Sequence, residues 1–344
     1  MQFIPFAQLN HRQDVVVVDA FHPRGWALTH WRGASKLPEL HDDTSTGIVL
    51  NALENAHPST QLPYVSNNHF DIDGFLGVWA LHHPSLALKN APTLRRAALI
   101  GDFREYSHRD PHSDLALKLC CWINTLEKKH FYRPFAASNE VRASVDKYTY
   151  FLPRFEEVLL EPDRFKSEWE EEYDQVCQDL AILQNPAQSS FHWESSIRLK
   201  IVITEEPMHY YALFSDTQEV DMVLSLYSDQ RYELEYKYST WVDTNRISYP
   251  RISLESLTGI LNRHESSGFH WEGQSIKDTG PLLRLEGKAL SKQDRFAHPI
   301  ERNIFPSSIP SQEFRNFVVG YYQEMLSHVT PKNNWSWNEM KAYS

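Results

Sequence analysis

Four consecutive valines, Val15–Val18, constrain the fold more than any other segment of this 344-residue chain. A strand with valine at every position has no polar face, so it is stable only where both faces of its sheet are covered. Such strands are typical of parallel sheets with helices packed on both sides. The segment therefore predicts an α/β fold for the amino-terminal part of the chain.

The rest of the chain divides into two patterns. Up to residue 131, apolar runs alternate with helical periodicity, and further strands are predicted at 62–66 and 97–100. From residue 189, β-branched and aromatic residues alternate with polar ones in several short segments. We therefore expect three regions: an α/β domain with a mostly parallel sheet and flanking helices (1–147), a helical connector (148–188), and an α+β domain with a mainly antiparallel sheet (189–344).

Finer elements are predicted by the same periodicities. Helices are expected at 48–53, 75–81, 115–131, 254–263 and 312–326. Strands are expected in the carboxyl-terminal domain at 197–204, 210–214, 222–227 and 232–238.

Charge and composition limit the classes of partner. The chain has 45 acidic and 34 basic residues, and its net charge of −11 repels phosphate backbones, so long nucleic acid is not an expected partner. No apolar run approaches 18 residues, and the three cysteines lack zinc-ligand spacing. We expect a cytoplasmic protein that binds no membrane and acts on a small molecule. A homodimer is left open.

Polar residues cluster where the predicted strands end. Asp19 and His22 follow the valine strand, His69, Asp71 and Asp73 follow the second strand, and Asp102 follows the third. Because loops at the carboxyl ends of parallel strands converge on one edge, these groups are expected to meet there. Alternate residues of an extended turn point the same way, which predicts that the three groups of the second cluster line one side of a pocket.

This cluster has the chemistry of a metal site. Imidazole and carboxylate ligands suit Mn²⁺ or Mg²⁺, and Asp102 is predicted to bridge to a second ion about 3.5–4 Å from the first. The predicted metal ligands, most of them also predicted to be catalytic, are His69, Asp71, Asp73, Asp102 and His112. The alternative is that Asp73-Gly74 only begins a helix.

Residues 69–74, with the sequence His-Phe-Asp-Ile-Asp-Gly, resemble the first motif of the DHH phosphoesterase superfamily, especially its RecJ-like branch. The resemblance covers about residues 60–105 and implies that Asp71 and Asp73 bind metal, with Asp102 as the second motif. The chain has no Asp-His-His string, and its closest substitutes are His108, Asp110, His112 and Asp114. Residues 28–33, 43–45 and 69–74 also resemble an uncharacterised bacterial family of unknown function.

Other polar residues are candidates for substrate binding. Imidazole and guanidinium groups can hold an anionic substrate by charge-assisted hydrogen bonds. The predicted substrate-binding residues are His30, Arg32, Arg246, Arg251 and His270.

Three functions remain open from the sequence. The first is a metal-dependent hydrolase of a small phosphoester or pyrophosphate compound, acting in a cleft between two domains. The second is a metal-independent acid–base enzyme of small-molecule biosynthesis with an aromatic-lined pocket. The third is a non-catalytic small-molecule-binding protein.

Overall fold

The computed structural model describes residues 1–22, 24–34, 37–131, 140–273, 281–286 and 298–343. It has an α/β fold with one sheet in each of two compact units. Unit 1 comprises Met1–Asp174 with Asp243–Asn245, and unit 2 comprises Gln175–Val242 with Arg246–Ser344. The predicted connector, residues 148–188, is divided between the two.

The sheet of unit 1 has four parallel strands. They are β1 (Gln2–Phe3), β2 (Val15–Val18), β3 (Trp26–Leu28) and β4 (Tyr64–Ser66), in the spatial order β1-β4-β2-β3. All four valines of β2 have no exposed surface. The strand is therefore covered on both faces, as its composition requires.

Side chains cap the first two helices of unit 1. Thr44 accepts a hydrogen bond from the Gly47 N–H at the start of α1, and Asp71 accepts one from Gly74 at the start of α2. The described helices of this unit are α1 (Ser45–Glu54), α2 (Ile72–His82), α3 (Pro84–Lys89), α4 (Ala91–Phe103), α5 (Ser113–Phe131), α6 (Glu140–Phe151) and α7 (Phe155–Leu160), and α8 (Glu170–Gln184) runs on into unit 2.

The strand predicted at 97–100 is wrong, because these residues lie inside α4. Leu94, Ala97, Ala98 and Ile100 are fully buried, and this spacing places them on one face of a helix. A short apolar run cannot distinguish a buried strand from a buried helix face. Asp102 consequently lies in the last turn of a helix and does not follow a strand.

The sheet of unit 2 has six strands. In spatial order they are β5 (Ser189–Glu194), β6 (Leu199–Thr204), β7 (Met222–Tyr227), β8 (Arg231–Tyr236), β10 (Pro281–Glu286) and β9 (His270–Gly273). The β6–β7 pair is parallel and the other pairs are antiparallel. The sheet is mixed and mainly antiparallel.

One face of this second sheet packs against helices. The remaining described helices of unit 2 are α9 (Tyr210–Leu213), α10 (Glu255–His264), α11 (Ser311–Leu326) and α12 (Trp337–Lys341). Tyr232, Trp271 and Phe314 are fully buried in this core, and their rings stack.

The strand predicted at 210–214 is also wrong, because these residues form the short helix α9 and its cap. His209 Nδ1 accepts a hydrogen bond from the Tyr211 N–H and caps the helix. The buried Lys200 donates to the carbonyl oxygens of Leu213 and Ser215 just after it. These contacts outweigh the strand propensity of two tyrosines.

None of the helices in the described ranges combines enough length with enough apolar character to cross a bilayer.

Candidate metal centre

Asp19 lies at the centre of a cluster of imidazoles and carboxylates in unit 1. It follows β2 directly, and its backbone is left-handed, with a φ of 49°. Its N–H donates to the Leu28 carbonyl of the neighbouring strand. The two carboxylate oxygens contact two different histidines: Oδ1 lies 3.2 Å from His30 Nε2, and Oδ2 lies 3.1 Å from His69 Nε2. One strand end thus links two imidazoles.

His30 follows β3 and is almost completely buried. Its Nδ1 lies 2.6 Å from the carbonyl oxygen of Asp43, which can only accept, so Nδ1 carries a proton and donates it. Its Nε2 faces three carboxylates, at 3.2 Å from Asp19, 3.6 Å from Asp102 and 3.8 Å from Asp73. In the neutral ring, Nε2 therefore offers a lone pair toward these groups.

His69 follows β4 and repeats this arrangement. Its Nδ1 lies 2.8 Å from Asn68 Oδ1, and its Nε2 lies 3.0 Å from Asp71 Oδ2 and 3.1 Å from Asp19 Oδ2. A histidine that binds metal usually donates its other ring N–H to an oxygen, which fixes the ring and its tautomer. Both imidazoles of the cluster have this geometry.

Five of these groups form two potential ligand sets with one member in common. Asp19, His69 and Asp71 each offer a ligand atom, and these atoms lie within 4.8 Å of one another. Asp19, His30 and Asp73 meet the same criterion. The sequence pattern predicts that His69, Asp71 and Asp73 share one side of a pocket, whereas in the structure Asp73 lies in the second set. Asp19, and not Asp102, is the member common to both sets.

The orphaned oxygen of Asp102 tests whether these residues fit a metal ion. Asp102 Oδ2 is buried, has no hydrogen-bond partner among the described residues, and lies 3.6 Å from His30 Nε2. A buried oxygen without a donor is costly, and native structures usually explain it by an ion or a water. With carboxylates and two oriented imidazoles around it, the donor set suits Mn²⁺ or Mg²⁺.

Electrostatics in the cluster are strongly coupled. Burial raises the pKa of Asp19, but its hydrogen bonds with His30 and His69 outweigh this effect and hold the pKa far below its usual range. Burial lowers the pKa of both histidines, but the neighbouring carboxylates outweigh burial and hold them well above the usual value. Burial, together with the Asp19 charge, raises the pKa of Asp73 to about 7.

Exposure differs between the members of the cluster. The side chains of His30 and Asp73 are 1% and 0% exposed, whereas those of His69 and Asp71 are 22% and 40% exposed. The ring of Trp31 lies beside His69. Among the ligand sets of the described residues, His69 and Asp71 are therefore the members most open to solvent.

Comparison with known proteins places the chain in a family. The model of a family of unknown function (DUF6687) matches residues 1–333. The chain belongs to this family. No curated protein and no solved structure matches the chain. The resemblance to an uncharacterised family is thus confirmed, and the resemblance to the DHH superfamily has no support from these comparisons.

The loop after α4 does not bring its predicted ligand to the cluster. His112 is exposed and belongs to neither ligand set found among the described residues. Asp110 in the same loop pairs with Arg96. These residues line a separate pocket of about 400 Å³ in unit 1, together with Arg95 and Asp43.

The predicted substrate-binding residues have varied surroundings. His30 lies within the cluster itself, and the buried Arg32 lies 3.5 Å from Asp243. Arg246, Arg251 and His270 belong to unit 2, where the Arg251 guanidinium lies 5.4 Å from the Tyr236 ring centroid and His270 pairs with Glu272. Their roles stay predictions.

Two central residues had weaker signals in the sequence. The sequence predicts Asp19 as a strand-end group but not as a ligand, and it predicts His30 as a substrate-binding residue. The signal for His30 was β3, whose three residues are too few to show alternation. With β3 recognised, His30 follows a strand end just as His69 does.

Proposed function

We propose that unit 1 binds two divalent ions, Mn²⁺ or Mg²⁺, and hydrolyses a phosphoester or pyrophosphate bond in a small anionic compound. The observation that carries this proposal is the position of Asp19 between His30 and His69, with one carboxylate oxygen on each imidazole. A carboxylate shared by two ligand sets is the arrangement that two-metal hydrolases require.

The residues have distinct roles in this proposal. Asp19 spans both ion positions, His30 and Asp73 complete the buried position, and His69 with Asp71 completes the accessible one. The Asp43 carbonyl and Asn68 keep the imidazole Nε2 atoms directed inward. Bound divalent ions supply charge neutralisation for a phosphoryl group and lower the pKa of water.

Substrate orientation follows from accessibility. The buried set excludes water, whereas His69 and Asp71 face the side from which a substrate can enter. In the metal-free protein the carboxylates of the cluster are paired with its two imidazoles, so the cluster offers a phosphoryl anion no excess of positive charge until divalent ions bind. We therefore expect metal binding to precede substrate binding.

The test is metal content combined with one isosteric variant. Wild-type protein saturated with Mn²⁺ and then desalted should retain about two ions per chain, and Asp19→Asn at most one. Asp110→Asn is the matched control, because Asp110 pairs with Arg96 outside the cluster. Mn²⁺-dependent release of phosphate from pyrophosphate or p-nitrophenyl phosphate is then assayed. A wild-type protein that retains no Mn²⁺, Mg²⁺ or Zn²⁺ contradicts the proposal.

A distant relation to the DHH superfamily is part of this proposal, although the comparisons do not support it. It depends on residues 69–74, which join β4 to α2 as the family's first motif joins a strand to a helix. Asp102, which the resemblance assigns to the second motif, ends a helix instead of following a strand.

A second candidate function is metal-independent acid–base catalysis, and Asp73 favours it. Its pKa of about 7 is close to neutrality, and its carboxylate lies 3.8 Å from His30 Nε2. General acids and bases work best when their pKa is near the working pH. A chelator leaves activity intact in this case and abolishes it in the first. A purely binding protein shows no turnover but gains melting temperature with ligand.

A further inference from the structure

Two aromatic side chains lie beside the accessible side of the metal centre. Phe21 follows Asp19 by two residues, and Trp31 follows His30 directly. The Trp31 ring centroid lies 5.6 Å from that of His69 and 5.6 Å from that of Phe21. The loops that position the candidate ligands therefore also position these rings.

Their mutual geometry forms a corner. The Phe21 and Trp31 rings meet at 83°, edge to face, and Phe21 remains 39% exposed. A flat ring can stack on one wall of such a corner while its edge contacts the other, and both arrangements are favourable for aromatic pairs. Phe21 is separated from the candidate ligand His69 by the Trp31 ring, and part of its apolar surface is exposed to solvent.

We infer that Phe21 and Trp31 form an aryl-binding subsite, so that the substrate is a phosphoryl compound with a flat aromatic group joined to phosphorus directly or by a short linker. This inference rests on the proposed function, because the metal centre is what holds the phosphoryl group. The short spacing between Trp31 and His69 limits the linker.

A simpler role for Trp31 is to support the His69 ring. That role explains the contact between Trp31 and His69, but it gives no function to Phe21, whose ring meets Trp31 edge-on and is well exposed. Phe21 therefore distinguishes the two roles. Its removal should affect an aryl ligand and leave metal binding unchanged.

The experiment compares two ligands that differ only in the ring. Phenylphosphonate and methylphosphonate have the same head group and a carbon–phosphorus bond that a phosphoesterase does not cleave. Each is titrated calorimetrically into Mn²⁺-loaded wild-type protein and into the variants Phe21→Ala, Trp31→Ala and Trp26→Ala. Trp26 is the matched control: it is 41% exposed on β3 and packs against His57. Free Mn²⁺ is followed in parallel by electron paramagnetic resonance.

We expect phenylphosphonate to bind wild-type protein and Trp26→Ala about tenfold more tightly than methylphosphonate. Phe21→Ala and Trp31→Ala should reduce this preference to within about twofold while retaining Mn²⁺. If Mn²⁺ binds and the two phosphonates bind equally or not at all, or if Phe21→Ala keeps the full preference, the subsite is wrong and the metal centre stands. If wild-type protein binds no Mn²⁺, the proposed function fails and the subsite fails with it. If Trp31→Ala does not fold, the phosphonate preference of Phe21→Ala alone tests the subsite, because Phe21 is exposed.

Discussion

Asp73 lies in the first turn of α2, yet its carboxylate caps α1 by accepting a hydrogen bond from the Ser45 N–H at 2.7 Å. Its other oxygen accepts from the Thr46 N–H at 2.8 Å. These are first-turn donors of α1, which have no partner within their own helix. A candidate ligand is therefore also a structural residue.

Substitution of Asp73 should separate these two roles. Asp73→Ala leaves two buried N–H groups without an acceptor and should lower the free energy of unfolding of metal-free protein by about 1–3 kcal/mol. Asp73→Asn keeps one acceptor and should lower the free energy of unfolding by less. Both variants should bind one metal ion fewer than wild type. Urea denaturation and metal analysis measure the two effects. Equal stability of Asp73→Ala and wild type contradicts the capping role.

Asp102 should act on one ion only. It lies 3.6 Å from His30 and belongs to neither three-residue set. Substitution of a residue that supports a ligand typically costs 10–100-fold in metal affinity. We expect Asp102→Asn to weaken one of two Mn²⁺ binding events by about that factor, measured by calorimetry. Equal weakening of both events indicates a bridging role instead.

Metal binding should release protons. The neighbouring carboxylates outweigh burial and hold the pKa of His30 and His69 well above the usual value, so both rings are protonated in the metal-free protein at pH 7. Ligation needs neutral imidazole and ionised carboxylate, and Asp73, with a pKa of about 7, is partly protonated at pH 7, so Mn²⁺ should displace protons from all three groups and its affinity should rise with pH. Calorimetric titration of Mn²⁺ in two buffers of different ionisation enthalpy gives the number of protons released. A binding heat that does not depend on the buffer contradicts this expectation.

Glycine substitutions should have opposite effects in the two units. A Cβ at Gly77 of α2 lies 2.7 Å from Val18 Cγ1, and overpacking at a rigid buried contact costs about 1–3 kcal/mol. At Gly320, inside α11, no described atom lies within 4 Å of the added Cβ, so Gly320→Ala should stabilise by about 0.5–1 kcal/mol. Urea denaturation of both variants checks the signs, and stabilisation by Gly77→Ala is the contradicting result.

Glu265 should make the stability of unit 2 depend on acid pH. Burial raises its pKa, but hydrogen bonds from Ser307 and Ser308 outweigh burial and lower it to about 2. A carboxyl group with a lowered folded-state pKa stabilises the fold above its unfolded pKa of about 4.5. This stabilisation is lost as the pH falls from about 4.5 through about 2.

Glu265→Gln tests this pH dependence. The variant should melt at a lower temperature than wild type at pH 7, because an amide accepts fewer of the six hydrogen bonds. The difference should shrink steadily between pH 4.5 and pH 2. Thermal melts over this range measure it, and a constant difference argues against the carboxylate as the titrating group.

Periodicity and caps predicted much of unit 1 from the sequence. The valine run gave β2 because only a covered strand tolerates four valines, and Thr44 marked the start of α1. The strand prediction at residues 97–100 is wrong because an apolar run of that length is too short to show whether its periodicity is that of a strand or of a helix. His209 caps the helix at residues 210–213 locally. Lys200, which is 13 residues from Leu213, donates to the Leu213 carbonyl oxygen, and a contact at that separation is not encoded in local spacing.

The candidate site was predictable in its location but not in its pairing. Parallel topology predicts that the candidate ligands lie at the carboxyl ends of the strands. That Asp19 contacts both imidazoles depends on strand order, β4-β2-β3, and on a left-handed backbone at Asp19, and neither is encoded in local spacing. Asp102 reaches the site from the end of α4, although its sequence surroundings predict the end of a strand.

The strand order has a consequence for assembly of the fold. Asp19, His30 and His69 leave three consecutive strands of one sheet, so ions bound between them cross-link β4, β2 and β3 at their carboxyl ends. Bound ions would close the chain between residues 30 and 69 into a loop. The free energy of ligation would then offset part of the entropy lost on loop closure, in addition to the contribution from packing. Metal loading would thus report that the three strands have reached their native neighbours, before any substrate is present.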